Sequence, residues 1–359
     1  MNRRLSGIAW TLVPLILVTG LIFYLASQST QQSGDSKFQK GMAFPTWDAE
    51  LYGTASSDES LRILAETTCT EWVQLVPTWY QNDRFSNRMY PDYDGQTARV
   101  ESLKHAIQTS HVLGLNVMLK PHIDAFSGDW RGTFRPEDPE VWFDNYMDMM
   151  TTFAQIAKDE GVEIFSIGCE FVELTKAEYS PDWRKVIQAI RGLYDGPLVY
   201  AANWGRELIQ VEFWDDLDFI GIDAYFELTN KTDPSMDELL TAWAPYLVQL
   251  ASIHQTWQKP VLLTEIGYRS IDGANMRPWD WENPGDLDLS EQALCYQAVI
   301  RAFGEKSWFN GIYWWNWEPN PSLGGPADKG YTPFGKPAEI VLKIWYCGED
   351  MGKKGRSRR

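Results

Sequence analysis

The sequence predicts a (β/α)8 barrel: eight parallel strands closed into a ring and wrapped by helices. Three observations carry that prediction. Eight short apolar runs alternate with longer helical patterns, as strands buried on both faces should. Gly114, Gly161, Gly196 and Gly311 each stand just before or at the start of such a run, where a helix-ending turn belongs. The segments leaving the runs are instead long, polar and aromatic, notably 79–96, 123–137 and 268–288. Short loops at one end and long loops at the other are the marks of this barrel. An open doubly wound sheet would want a glycine-rich phosphate turn after its first strand, and "GMAFPTWDAE" has no G-x-G-x-x-G.

The elements follow in order. Residues 1–27 form a membrane segment: "IAWTLVPLILVTGLIFYLA", 8–26, is free of charge and close to the ~20 residues that span a bilayer. Arg3 and Arg4 precede it, so the start should stay cytoplasmic and the remainder cross. A cleaved signal peptide is the alternative, but its apolar region is usually ~7–15 residues. Residues 28–37 are polar and read as a linker. The barrel then occupies 38–347 as one domain. Its strands are expected at "GMAF" (41–44), "WVQLV" (72–76), "LNVML" (115–119) and "EIFSIG" (163–168), then "PLVYAA" (197–202), "FIGIDAY" (219–225), "PVLLTE" (260–265) and "GIYWWNW" (311–317). Two helix starts are explicit. Ser180 caps "SPDWRKVIQAIRGL" with Pro181 in the first turn, and Asp288 with Glu291 makes a capping-box variant. A basic tail, 348–359, closes the chain.

Composition narrows the chemistry. Net charge is −17, and seven of the positive charges are Arg3, Arg4 and five in the last seven residues, which leaves about −24 on the rest. A phosphate binder needs a basic surface, so nucleic acid is not an expected partner. The 18 Trp exceed what a core needs, and indoles at a cleft are flat platforms for the apolar faces of sugar rings. Cys69, Cys169, Cys295 and Cys347 have no C-x-x-C spacing, so no zinc cluster is expected. Outside the cytoplasm a disulfide is permitted, and Cys295 with Cys347, on the last two helical regions, is one pairing the sequence allows.

In a barrel the chemistry collects at the carboxyl ends of the strands. Lys120, His122 and Asp124 lie there on the third strand, Glu170 on the fourth, and Asn203 and Trp204 on the fifth. Asp223 and Tyr225 end the sixth strand, Glu265 the seventh, and Trp315, Trp317 and Glu318 the eighth. A carboxylate above an apolar strand is costly unless partners compensate it. Two of them facing one cleft allow acid–base work on a glycosidic bond, one protonated and the other ionised. Lone strand-end glutamates are otherwise caps or ion-pair partners. His122 and Asp124 lack any H-x-H or H-E-x-x-H pattern, so His122 reads as a hydrogen-bonding residue and no metal is expected. Asp223 and Glu318 read equally as sugar contacts or salt-bridge partners, and Trp279 and Trp281 as flanks of outer subsites or as loop packing.

"IGCEF" and "LTEIGY" resemble the acid/base and nucleophile motifs of clan A glycoside hydrolases. With "LKPHID", "YAANW", "FIGIDAY" and "GIYWWNW" in order, the chain is similar over most of residues 40–346 to family 113 glycoside hydrolases, retaining β-1,4-mannanases on a (β/α)8 barrel. The resemblance implies that Glu170 is the acid/base, Glu265 the nucleophile, and Tyr225 the residue that holds the nucleophile. Asn203, Trp204, Trp315, Trp317, Lys120 and His122 would contact sugar, with no cofactor. Cys169 stands where many clan members have Asn, and the clan's second-strand Arg is missing from "VQLVPTWYQ". The expectation is therefore a monomeric, membrane-anchored, extracytoplasmic retaining glycosidase acting on a mannan or another β-glycan. A carbohydrate-binding barrel without catalysis and a metal-dependent hydrolase are the alternatives.

Overall fold

The structure, a computed structural model, describes residues 38–348, and the expected anchor at 8–26, the linker and the tail beyond 348 lie outside the described residues. All eight apolar runs are strands of one closed barrel. They are β1 (Gln39–Pro45), β2 (Trp72–Val76), β4 (Asn116–Leu119), β6 (Ile164–Cys169), β7 (Leu198–Asn203), β8 (Phe219–Asp223), β9 (Val261–Ile266) and β10 (Phe309–Trp314). All pairings are parallel, and β1 closes the ring between β2 and β10. Strands buried on both faces cannot alternate, which is why each reads as a continuous apolar run.

Two strands escape that signal. β3 (Thr78–Gln81) and β5 (His122–Ala125) form a separate parallel pair in register Thr78↔His122 to Gln81↔Ala125. They continue β2 and β4 after Pro77 and Pro121. A proline offers no N–H to the ladder, so the pairing breaks there and resumes as a second tier. Lys120 N on Leu75 O and His122 N on Pro77 O, both 2.9 Å, bridge the break. The pair extends one wall beyond the carboxyl end of the barrel.

Helices follow the strands: α1 (Ala55–Thr68), α2 (Val100–Val112), α3 (Pro139–Glu160), α4 (Ser180–Arg191), the single turn α5 (Glu207–Gln210), α6 (Met236–Trp257), α7 (Leu289–Phe303) and α8 (Pro337–Cys347). Asp138 caps α3 ahead of Pro139, and Gly161 ends it at φ 70°, a left-handed turn that glycine takes without strain. Ser235 and Glu238 make a full capping box on α6. The start of α4 corrects the sequence reading by one place. Tyr179 is the N-cap, while Ser180 is the first helical residue and its side chain makes no cap bond. Asp288 caps α7 as expected, but Glu291 turns instead to Gly273 N, Asn275 N and Asn275 Nδ2. It fastens the long loop after β9 rather than completing a box.

The Cys295–Cys347 bridge that the sequence allows is not formed. Cys347, the last residue of α8, pairs with Cys69 at the end of α1, with the Cα atoms 5.3 Å apart. In a closed ring the last helix meets the first, so α8 packs on both α7 and α1. Cys295 instead points into the core and is a free thiol. Inside the barrel, Met118, Ile164, Val199, Phe219, Leu262 and Tyr313 fill the floor. Gly41 makes room there, since a Cβ at that position would sit 2.5 Å from the Tyr313 ring. Among the described residues no helix is long and apolar enough to cross a membrane.

Candidate active site

The strand register places the site before any side chain is considered. Asn203 lies opposite Asp223, and Asp223 opposite Glu265, so β7, β8 and β9 present three polar residues at one level above the apolar floor. Glu170 follows the last residue of β6 at φ 54°, a left-handed conformation that costs a residue with a Cβ about 1–3 kcal/mol. Its backbone is pinned by Glu170 N on Ala201 O, 2.8 Å, and Val172 N on Glu170 O, 2.9 Å. Strain retained at one glutamate beside a cleft is a mark of function.

The two glutamates have different surroundings. Glu265 Oε1 receives Lys120 Nζ at 2.5 Å, and Glu265 Oε2 receives the Tyr225 hydroxyl at 2.9 Å. Glu170 Oε1 accepts from Asn203 Nδ2 at 2.8 Å, and Oε2 accepts more distantly from Trp130 Nε1 at 3.3 Å. Burial raises the Glu170 carboxyl above the ordinary carboxylate range, and the nearby Arg131 guanidinium only partly opposes it. Burial also raises Glu265, helped by the Asp223 charge and opposed by Lys120. The difference lies in the donors: a full ammonium sits on Glu265, and neutral groups sit on Glu170. An ammonium favours the ionised form of Glu265 more than neutral donors favour that of Glu170.

Lys120 is wholly buried and divided between two carboxylates, holding both Asp223 oxygens at 3.0 Å as well as Glu265. Burial alone would lower its pKa, but Asp223 and its other neighbours raise it, so it stays an ammonium. This corrects its expected role, because no donor is left open to a sugar hydroxyl. Thr264 Oγ1 at 2.8 Å and Cys169 Sγ at 3.1 Å complete the shell of Asp223. Asp223 is thereby an ion-pair partner, buried out of reach of ligand.

His122 does face the site. Its Nε2 lies 3.6 Å from Glu265 Oε1 and has no hydrogen-bond partner, though it is buried. Arg131 Nη1 donates to His122 Nδ1 at 2.9 Å, which leaves the proton on Nε2. Burial and the charge of Arg131 hold this imidazole well below its usual pKa, so it is neutral, and its unpartnered Nε2–H is closed off beside Glu265. Arg131 also reaches Cys169 Sγ at 3.2 Å and Asp124 Oδ1 at 2.5 Å. Sequence reasoning missed Arg131 and Trp130. They come from an irregular loop after β5, where no periodicity marks a side chain's direction.

The aromatic residues divide. Trp204 meets Tyr225 edge-on at 5.9 Å, and Trp315 meets Trp47 at 6.3 Å. Both expected residues are partly exposed, and Trp47 is an addition from the loop after β1. Trp317 is a correction. It is buried, bonds Ser60 Oγ through Nε1 at 3.1 Å and packs on Phe334 at 5.0 Å. Period two placed it on the face of Trp315, but β10 ends at Trp314 and alternation no longer applies. Glu318 accepts from Asn316 Nδ2, and burial raises its pKa. Trp279 and Trp281 are exposed, with Trp279 Nε1 on Glu227 Oε1 at 2.9 Å.

His122, Cys169 and Glu265 each bring an atom within 4.8 Å of the others. As a metal set they fit badly. Arg131 already donates to the sulfur and to one imidazole nitrogen, Lys120 occupies the carboxylate, and burial keeps Cys169 a neutral thiol.

A strained glutamate, a second glutamate clamped by an ammonium and a tyrosine, and indoles at the mouth of a (β/α)8 barrel define a carbohydrate-cleaving enzyme. Comparison with known proteins gives the same class. The profile of Glycoside Hydrolase Family 113 matches residues 42–336, and the chain belongs to that family. A GH113 β-mannanase from Alicyclobacillus acidocaldarius, solved in complex with ManMIm, is similar at 30% identity and a TM-score of 0.79, over 87% of this chain and 98% of that one. A GH113 β-1,4-mannanase in a complex structure is similar at 27% identity and a TM-score of 0.78, over 87% and 99%. A β-glucuronidase from Ruminococcus gnavus shares the fold alone, at 13% identity and a TM-score of 0.59 over 86% of this chain and 50% of that one. No curated protein matches the chain. The protein is a glycoside hydrolase.

Proposed function

We propose that this glycoside hydrolase cleaves β-1,4-linked mannan with retention of configuration, by two displacements. Glu265 attacks the anomeric carbon while Glu170 gives its proton to the glycosidic oxygen, and the leaving chain departs as an alcohol. The glycosyl ester on Glu265 is then opened by water, whose proton passes to Glu170 acting as base, and the sugar leaves with its configuration kept. The observation that carries this reading is the unequal shell of the two glutamates: Lys120 and Tyr225 on Glu265, Asn203 and Trp130 on Glu170. The choice of mannan is supported by the β-mannanases among the similar structures.

We further propose that the enzyme works outside the cytoplasm, held by residues 8–26. The Cys69–Cys347 bridge supports an oxidising compartment. Hydrolysis of manno- and cello-oligosaccharides tests the substrate, and the variants Glu170→Ala and Glu265→Ala test the chemistry. Azide should restore turnover of an activated aryl mannoside to Glu170→Ala, giving the β-azide. Near-normal turnover by Glu265→Ala would refute the mechanism, and binding without turnover by the wild type would mark a barrel that only binds sugar.

A further inference from the structure

Trp130 stands apart from the other indoles at the mouth. It is 46% exposed, yet it is firmly held. Its carbonyl accepts from Thr133 N at 2.8 Å and from Thr133 Oγ1 at 2.7 Å. Its ring lies flat on Gly132, where any Cβ would collide with it. The next residue, Arg131, is locked into the site by His122, Cys169 and Asp124. The residue is therefore partly open while the backbone behind it is fixed, so a ligand would meet a surface already ordered.

Its position fixes which ligand. Trp130 Nε1 points at Glu170 Oε2, at 3.3 Å, while Lys120, Tyr225 and His122 all gather about Glu265. Under the proposed chemistry the reacting sugar sits over Glu265. The bond that breaks points to Glu170, and the departing ring lies beyond it, on the Trp130 side. We propose that Trp130 is the platform for the leaving sugar, stacking the first pyranose ring released and, in reverse, the ring of an acceptor. The same indole touches the acid, so docking of that ring and placement of the proton are linked. This inference rests on the roles proposed for Glu170 and Glu265.

The test compares two substrates on the full chain and its variants Trp130→Ala and Trp130→Phe. Mannopentaose places a ring on the leaving side. β-Mannobiosyl fluoride does not, and fluoride leaves without a proton. Reading kcat/KM confines the comparison to steps through glycosyl transfer to the enzyme. Trp130→Ala should lose about tenfold or more on mannopentaose, about 1.4 kcal/mol per tenfold, and stay within about threefold of wild type on the fluoride. Trp130→Phe, which keeps a flat apolar face, should recover most of the mannopentaose rate. The mannobiose concentration giving half-maximal transfer should rise by about tenfold in Trp130→Ala. Equal losses on both substrates, or none on either, would overturn the assignment. Turnover of the fluoride by Glu265→Ala would instead show that the underlying displacement scheme is wrong.

Discussion

Replacing Lys120 by Met asks how much of the site rests on one ammonium. Lys120 Nζ holds Asp223 at 3.0 Å and Glu265 at 2.5 Å, and all three side chains are buried or nearly so. Without it, two carboxylates adjacent in the strand register face each other with no cation between them. Removing one partner of a buried ion pair typically costs about 3–5 kcal/mol. At about 2 °C per kcal/mol for a domain of this size, the melting temperature should fall by about 6–10 °C. The catalytic effect has a definite sign. Lys120 lowers the pKa of Glu265, so its loss raises it, and the acid limb of the pH–kcat/KM profile moves to higher pH. The double variant Lys120→Met, Asp223→Asn removes the repulsion as well. It should regain part of the lost stability and return the limb toward wild type. The assays are calorimetry and a pH profile on one oligosaccharide. A single variant melting within about 2 °C of wild type, with an unmoved acid limb, would refute the reasoning.

Other outcomes follow from the same geometry. Tyr225→Phe removes a hydrogen bond of 2.9 Å to Glu265. Bonds to charged groups contribute about 1.5–3 kcal/mol to stability, so the melting temperature should fall by about 3–6 °C, and kcat/KM should fall with the loss of the group that holds the carboxylate. The basic limb of the wild-type profile reports the acid. Burial raises Glu170, so activity should persist above the ordinary carboxylate range and fall as pH rises through that raised value. Arg131 opposes the rise, so Arg131→Met should carry the basic limb to still higher pH, as stopped assays across a buffer series would record. Cys69→Ser opens a bridge between residues 278 apart and should cost about 2–4 kcal/mol in a denaturant titration, with kcat unchanged because both cysteines lie at helix ends remote from the strand tops.

The barrel was legible in the sequence because its strands are buried on both faces and read as unbroken apolar runs. β3 and β5 were not, since they lie largely in segments that read as long polar loops, beyond Pro77 and Pro121, which interrupt the ladder. Glu170, Glu265, Asn203 and Tyr225 were findable because polar residues directly above apolar strands must converge on the mouth. Lys120 was misassigned for the same reason. Sequence shows that a cation is at the strand end, and only packing shows that Asp223 and Glu265 consume it. Trp317 was misread by extending a period of two past Trp314. Arg131 and Trp130 left no trace, because a loop's side-chain directions are set by tertiary contacts. The disulfide partner was hidden likewise, since ring closure brings α8 against α1 as well as α7.

The central claim is that Glu265 carries the sugar between the two displacements. Incubation with a 2-deoxy-2-fluoro-mannobiosyl donor bearing a dinitrophenyl leaving group should slow both steps and trap that ester. Intact mass should then rise by one glycosyl unit, and peptide mapping should locate it on Glu265 within the "LLTEIG" segment. Full turnover to the inverted sugar with no adduct, or an adduct on any other carboxylate, would contradict the account.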